Sequence, residues 1–338
     1  MKSVSIFGAS GLAGGELLRL LGGCGLEVSK LFGSSGAGKK ACEIHKHLDC
    51  GKKIEAWDGE PEADLLFFAA PAGVCADALA KNPGLPKECR IVDLSGDFRL
   101  KNAADYPKWY GFGHPCPQLL KEAVYGLPEL NRAAVKKANL VANPGCYATS
   151  VILGLAPFAK NAKHIVVDSC SGVSGAGNAP STFNSFCNAA EDVIAYDAAK
   201  HKHVAEMQQE LGCQLSFTPH LVPITRGILS TIHVFFENPV AQGVLEKNLK
   251  WFYKGEKFVK IIAKPANAGK GWMPSVKMAR GTNNCLIAAE ADGEHSGAVV
   301  VSAIDNIVKG AAGQAIQNAN LMLGLKEDAG LPTSPLYP

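Results

Sequence analysis

The chain lacks a large excess of charge of either sign: 34 lysines and arginines stand against 31 aspartates and glutamates, a net charge of +3. The basic residues form no run or stripe that would neutralise a nucleic-acid backbone, so no nucleic-acid partner is expected. Long hydrophobic runs are missing as well. No stretch approaches the roughly 18 uninterrupted apolar residues needed to cross a bilayer, which argues against membrane insertion. The 11 cysteines are odd in number and show no disulfide-like spacing, a usage that fits a reducing cytoplasm. Met1-Lys2-Ser3 leads directly into Val4–Phe7 and a glycine-rich turn, with no apolar leader or cleavage site, so a mature cytoplasmic start is expected. Internal repeats and low-complexity tracts are absent too. What is present is 47% hydrophobic and 19% charged residues, with 36 glycines and 19 prolines dispersed along 338 residues. That is the composition of a soluble globular protein, and its length predicts two domains.

Residues 1–145 repeat a buried-strand pattern at Val4–Phe7, Val28–Phe32, Leu65–Ala69, Ile91–Leu94 and Leu140–Ala142, separated by helical or loop segments. Short apolar runs alternating with amphipathic stretches predict a Rossmann-type α/β domain with a mostly parallel sheet covered on both faces. From Cys146 the rhythm changes. A helix near Tyr147–Ala159 and a strand at Ile165–Ser169 are followed by strand-like runs at Gln214–Phe217, Ile228–Phe236, Phe258–Ala263, Cys285–Ala289 and Ala298–Ala303, with one helix near Ala241–Tyr253. Closely spaced strands with few helices predict an α+β catalytic and oligomerisation domain over 146–304. The last helix, Asp305–Leu323, is expected to return to the first domain, which residues 305–338 would complete.

Gly8-Ala9-Ser10-Gly11-Leu12-Ala13-Gly14 follows the first strand and opens a helix through Leu17, Leu18 and Leu21. Glycines there let the backbone approach a pyrophosphate, and the helix N-terminus presents free N–H groups with partial positive charge. The second strand ends in Gly33-Ser34-Ser35 with Lys39 and Lys40 nearby, where an NAD-specific site carries an acidic residue. Hydroxyls and an ammonium suit a 2′-phosphate, which points to NADP. An ordinary solvated loop would have the same composition.

Asn143-Pro144-Gly145-Cys146-Tyr147 places a cysteine where a strand ends and a helix begins, and the helix dipole favours its thiolate. Position alone leaves nucleophile and inert thiol open. His203 and Glu206 stand one helical turn apart, as a base and its orienting carboxylate, as a surface cluster, or as part of a zinc site. Thr218–Gly227 reads as a polar, proline-broken loop carrying His220 and Arg226; Arg226 is placed to bind a substrate carboxylate or to hold the loop by an ion pair. Ser171–Gly177 offers flexible backbone N–H groups for phosphate or nicotinamide. Cys42, His45, His47 and Cys50 match no zinc spacing, so no metal is expected.

With Gly8–Gly14 near the start, Asn143-Pro144-Gly145-Cys146-Tyr147 mid-chain and Ser171–Gly177 after it, the sequence resembles the N-acetyl-gamma-glutamyl-phosphate reductases over nearly its whole length. Leu94–Arg99, Tyr125–Glu129, Pro219–Gly227 and Asp305–Ala312 carry the resemblance further. Leu12 stands where a tyrosine is common and Ala205 where a proline is common. The resemblance implies a Rossmann-type domain joined to a dimer- or tetramer-forming catalytic domain, like that of aspartate-semialdehyde dehydrogenase, acting in arginine biosynthesis. It implies Cys146 as nucleophile, His203 as acid/base, Glu206 as its support, and substrate binding at Arg226. Arg99, His220, Ser171 and Gly172 complete the candidate substrate residues. Ser174, Gly175 and Asn306 join Gly8, Ser10, Gly11, Leu12, Ala13, Gly14, Ser34, Ser35 and Lys39 as candidate cofactor contacts. The expected reaction is NADPH-dependent reduction of an acyl phosphate through a Cys146 thioester. Reduction of an aminoadipyl or aspartyl phosphate is the alternative within the same chemistry, since a methylene changes a pocket by only ~1 to 3 kcal/mol. A non-catalytic NADP-binding protein and a Cys/His hydrolase are the alternatives from other classes.

Overall fold

The computed structural model describes residues 1–178 and 181–337. Its contacts divide the chain into two compact units: Met1–Gly145 with Ala311–Leu331, and Cys146–Gly310 with the tail from Pro332.

The first unit is built on seven strands, β1 (Ser3–Phe7), β2 (Glu27–Phe32), β3 (Ile54–Glu55), β4 (Leu65–Phe68), β5 (Arg90–Asp93), β6 (Val124–Tyr125) and β7 (Leu140–Ala142). Their order is β3-β2-β1-β4-β5-β7-β6 and every neighbouring pair is parallel. All four residues of β4 are fully buried, as expected of a strand covered on both faces. The edge strands β3 and β6 escape a sequence reading because two residues leave no periodic run. The direction in which successive strands are added reverses between β1 and β4, the switch point at which such sheets bind ligands.

At the C-terminal end of β5, Asp93 is fully buried and its Oδ1 accepts the Ser95 N–H at 2.8 Å as well as the Ser95 hydroxyl. Asp97, also buried, accepts from the N–H groups of Gly73 (2.7 Å) and Ala76 (2.9 Å) at the start of the helix Val74–Lys81. Arg99 donates Nε to Asn143 O (2.8 Å) and Nη2 to Leu94 O (3.2 Å), tying this turn to the end of β7.

The second unit carries β8 (His164–Gly172), β9 (Ile194–Ala195), β10 (Ser216–Val222), β11 (Ile228–Phe235), β12 (Val259–Ile261), β13 (Cys285–Asp292) and β14 (Gly297–Ile304) in the order β12-β13-β14-β11-β8-β10-β9. This sheet is mixed: β12 with β13 and β8 with β10 run parallel, and the other pairs antiparallel. Burial alternates along β8 and β11, so one sheet face is covered and the other is partly open. The helix Cys146–Leu155 packs on β11, β13 and β14, and its residues Tyr147–Leu155 are all buried. A helix apolar on every side belongs in a core, which accounts for its absence of charge.

Two boundaries differ from the sequence reading. Thr218–Val222 is strand, not loop: β10 pairs in parallel with β8 along its length. Pro219 is tolerated because it faces the two-residue edge strand β9, beyond which its carbonyl accepts from Tyr196 N–H at 3.1 Å. The last α-helix spans Gly313–Met322 instead of starting at Asp305. Buried Asp305 accepts from the N–H groups of Ile307 (2.9 Å) and Val308 (3.0 Å), and a π-helical turn, Val308–Ala312, intervenes. The side-chain acceptor draws the backbone out of the α-helical pattern.

Burial and then the neighbouring Asp97 charge push the Asp93 carboxyl up to about 6. A folded pKa above the unfolded value of about 4 means that protonation stabilises the native state, and this contribution is lost as pH rises through 6. Asp93→Asn keeps the acceptor oxygen and removes the titration. At pH 8 the variant is expected to be more stable than the parent by roughly 2 kcal/mol, and its stability to change less between pH 4 and 7. Urea unfolding across that range checks this; a variant less stable at pH 8 contradicts it.

Candidate active site

In the first unit, Gly8 leaves β1 with φ +85°, and a Cβ there would lie 2.0 Å from Ala69 O. A Cβ at Gly14 would lie 2.3 Å from Gly8 O, so both glycines are demanded by close backbone approach. A Cβ at Gly11 would come no closer than 3.4 Å to Gly8 O, which leaves open space above the loop. Gly11 caps the helix Leu12–Leu21 with no side-chain hydrogen bond, and Leu12, Ala13 and Gly14 form its first turn. Ser10 Oγ and Ser35 Oγ lie 2.9 Å apart, joining this loop to the exposed Ser34-Ser35 segment after β2; Lys39 is exposed nearby in sequence. The arrangement fits a dinucleotide, with backbone N–H groups for the pyrophosphate and hydroxyls, with no carboxylate, at the ribose position.

In the second unit, Cys146 opens its helix and is partly exposed. Gly310 backs it so closely that a Cβ on Gly310 would lie 2.7 Å from the Cys146 Cβ. Tyr196 donates its hydroxyl to that of Tyr147 at 2.9 Å, and Tyr147 donates to His220 O at 3.4 Å. Burial, reinforced by Tyr196 and by the Cys146 charge, lifts Tyr147 far above the ordinary phenol range; burial also raises Tyr196, against the opposing hydrogen bond to Tyr147 and with the same Cys146 contribution. Both are therefore proton donors at neutral pH. Ser171 Oγ is a further hydrogen-bonding neighbour of Tyr147.

The Tyr147 ring meets His201 at 5.4 Å, His203 at 6.0 Å and Phe217 at 5.3 Å. His203 begins the helix His203–Leu211, and its N–H donates to His201 Nδ1 at 3.1 Å. Fully buried Glu206, on the next turn, brings Oε1 to 3.8 Å from His203 Nε2. Cys146, Tyr147, Ser171, Tyr196, His201, His203 and Glu206 thus form one neighbourhood.

Arg226 stands in a second grouping. Its Nη1 lies 3.8 Å from Asp305 Oδ2, with 28% of the side chain exposed, while that carboxylate oxygen also accepts Gly281 N–H at 2.8 Å. Asn306 Oδ1 accepts from Gly227 N–H (2.7 Å) and its Nδ2 donates to Ser174 Oγ (3.0 Å). Gly172 packs flush against this loop, since a Cβ would lie 2.7 Å from Ile224 O. Gly175 adjoins Ser171 and Asn306. His220 lies within β10, and its Nδ1 is buried with no hydrogen-bond partner among the described residues. Arg99 lies in the first unit on the backbone carbonyls given above. Gly8–Gly14, Ser34, Ser35 and Lys39 belong to the first unit, and Ser174, Gly175 and Asn306 to the second.

Sequence reasoning missed Tyr147 as a donor, Tyr196, His201 and Gly310. His201 was visible in the His-Lys-His run; Tyr196 and Gly310 carry no local signal. Among the described residues no group of three or more His, Cys, Asp or Glu is arranged to hold a metal, and His45 Nε2 instead meets Ala9 O at 2.8 Å.

Residues 3–138 match the semialdehyde dehydrogenase NAD-binding domain and residues 146–306 the semialdehyde dehydrogenase dimerisation domain. Solved structures agree in fold: an aspartate semialdehyde dehydrogenase II from Vibrio cholerae has a TM-score of 0.69 at 20% identity over 96% of this chain and 98% of its own. The enzyme from Candida albicans, solved with NADP, has a TM-score of 0.69 at 15% identity over the same shares. Among curated proteins, the N-acetyl-gamma-glutamyl-phosphate reductase of Dehalococcoides mccartyi strain 195 is 44% identical over 98% of both chains, and that of Pelotomaculum thermopropionicum 42% over 99% of both. The chain belongs to the N-acetyl-gamma-glutamyl-phosphate reductase family.

The glycine contrast gives a stability test. Gly8→Ala combines a strained φ with a backbone clash and is expected to cost at least about 3 kcal/mol, whereas Gly11→Ala is expected to cost less than about 1 kcal/mol. Equal losses in urea titrations of the two variants would contradict the loop geometry.

Proposed function

We infer that this chain reduces N-acetyl-gamma-glutamyl phosphate to N-acetylglutamate semialdehyde with release of phosphate, using NADPH, as a step of arginine biosynthesis. The observation that carries the reading is the near-full-length identity to reductases of that name. The geometry around Cys146 supplies a chemical route.

A free carboxylate resists hydride because it is already anionic; activation as an acyl phosphate removes that obstacle. The Cys146 thiolate, favoured by the helix N-terminus, attacks the acyl carbon. The C–S bond forms as the bond to phosphate breaks, leaving a thioester. NADPH, when bound, supplies the hydride that reduces the thioester carbonyl. Collapse of the resulting thiohemiacetal breaks the C–S bond and returns the thiolate with the aldehyde. His203, oriented by Glu206, exchanges the proton with the carbonyl oxygen or the sulfur. Backbone N–H groups at the start of the Cys146 helix stabilise the oxyanion, a contribution of about 2.7 to 4 kcal/mol per donor in such sites. Arg226, steadied by Asp305, binds the substrate carboxylate, with His220 on β10 and Ser171 and Gly172 at the end of β8 as further proposed substrate residues. In the first unit the glycine loop and the hydroxyls of Ser34 and Ser35 with Lys39 would hold the cofactor; Ser174, Gly175 and Asn306 are further proposed cofactor contacts.

The family description of residues 146–306 as a dimerisation domain supports an oligomer, proposed as a homodimer or homotetramer. None of the described helices is long and apolar enough to cross a membrane, and all 11 cysteines are free thiols, which supports a cytoplasmic setting.

Cys146→Ala is expected to lower phosphate-dependent reduction of NADP⁺ with N-acetylglutamate semialdehyde more than about 1,000-fold while leaving NADPH binding intact. Turnover within tenfold of the parent would exclude the thioester route. A parent protein inert with this substrate but active with aspartyl or aminoadipyl phosphate would move the substrate assignment. Ser35→Asp is expected to weaken NADPH binding about tenfold and NADH binding much less, because it sets a carboxylate against the 2′-phosphate. Equal effects on both cofactors would place the 2′-phosphate elsewhere.

A further inference from the structure

Cys42, His45, His47 and Cys50 have no part in the reaction described above, and among the described residues they form no metal-binding group. The structure gives them a different relation. The short helix Ala41–Ile44 opens a loop whose neck is closed by backbone: Ala41 N–H donates to Lys52 O at 2.9 Å and Cys42 N–H to Cys50 O at 3.0 Å. By ordinary bond lengths the second bond keeps the two cysteine α-carbons within about 7 Å of each other, inside the span that a disulfide bridges. Both residues are partly exposed. Cys75 and Cys116 also neighbour one another, but both are fully buried, where an oxidant has no access. The exposed lysines Lys39, Lys40, Lys46, Lys52 and Lys53 flank the pair along the chain and favour the approach of an anionic reagent.

The loop bears on both sides of the dinucleotide-binding turn. Ile44 fills the space beside Gly36, where a Cβ would lie 2.5 Å from Ile44 Cδ1, and Gly36 directly follows Ser34-Ser35. The His45 ring lies on Gly15, near the start of the helix Leu12–Leu21, where a Cβ would lie 2.6 Å from His45 Cε1. Its Nε2 meets Ala9 O, in the glycine loop itself, at 2.8 Å. Glycine is needed at both places to admit these side chains, so neither contact has slack, and close packing passes a shift of the loop to the segments beneath it. A disulfide fixes spacing and torsion at both of its cysteines. Closing one across this neck re-sets the backbone on either side of Ile44 and His45.

We propose that Cys42 and Cys50 are a redox-sensitive pair whose disulfide weakens cofactor binding, the oxidant being an anionic low-molecular-weight disulfide of the glutathione type. One cysteine, as thiolate, attacks a sulfur of the oxidant; a bond forms between protein and reagent as the reagent's own S–S bond breaks, releasing one thiol. The second cysteine then attacks the protein sulfur of this mixed disulfide, forming the Cys42–Cys50 bond and releasing the second thiol. The two cysteines give up two electrons, their two protons end on the released thiols, and the oxidant is reduced. The proposal rests on the cofactor reading above and adds a control on it.

The experiment uses the full chain carrying Cys146→Ala, so that oxidation of the nucleophile contributes nothing, treated with oxidised glutathione and then freed of reagent. Trypsin cuts between the two cysteines at Lys46, so the bridge is expected in the mass spectrum as two peptides joined by a disulfide. Titration calorimetry is expected to show the Kd for NADP⁺ raised about tenfold in the oxidised protein and restored by dithiothreitol. With Cys42→Ser added, the same treatment is expected to leave the Kd unchanged. Absence of the bridge, a bridge with an unchanged Kd, or an equal rise in the Cys42→Ser protein overturns the proposal. A reduced protein that does not bind NADP⁺ at all overturns the cofactor reading, an outcome distinct from one in which reduced and oxidised forms bind alike.

Discussion

The attachment of the helix Cys146–Leu155 to the mixed sheet is the constraint on which the second unit depends. Ser150 Oγ lies 2.9 Å from Ser230 Oγ on β11 and 2.8 Å from Ser302 Oγ on β14, and Ser169 on β8 donates to Ser230 at 2.8 Å. All four hydroxyls are buried, so each satisfies the others where water has no access. Gly154 lets the same helix descend until a Cβ there would lie 2.7 Å from Ile232 Cδ1. A helix fastened at two depths has no freedom to rotate, and the thiol and phenol at its first turn inherit that rigidity.

Asp305 plays the corresponding part for the loops. One carboxylate, fully buried, receives the N–H groups of Gly281, Ile307 and Val308 and faces the Arg226 guanidinium. Its backbone carbonyl accepts Gly310 N–H at 2.9 Å, and Gly310 is the residue pressed against Cys146. A buried charge of this kind is tolerable only when its acceptor capacity is used, and here the donors are the segments that carry the functional groups. The π-helical turn that follows is a consequence of that demand, and it sets where the helix Gly313–Met322 begins.

Much of this was legible along the chain, for reasons visible in particular residues. Leu65–Phe68 and Ile91–Val92 announce buried parallel strands because both faces must be apolar. Gly14 announces a turn because Gly8 O, within the same loop, excludes a Cβ, whereas the group that excludes one at Gly8 is the distant Ala69 O. His203 and Glu206 share a helix face by simple periodicity. Tyr196 lies on a stretch with no periodicity at all, and its partner hydroxyl on Tyr147 is 49 positions away. Thr218–Val222 read as loop because proline weighs heavily in any local judgement, whereas its neighbour in the sheet decides whether the missing N–H matters.

The sequence by itself determined the buried strands of the first unit, the change of rhythm at Cys146, the glycine-rich turn before the first helix and the cysteine at a helix start, since each is read from residues within one turn or one strand of each other. Only the tertiary structure decided which groups surround that cysteine, that Arg226 leans on Asp305 and that Gly310 must be bare. These are pairings between residues far apart in the chain, and hydrogen-bond satisfaction and steric exclusion act on distance in space, which no local pattern records.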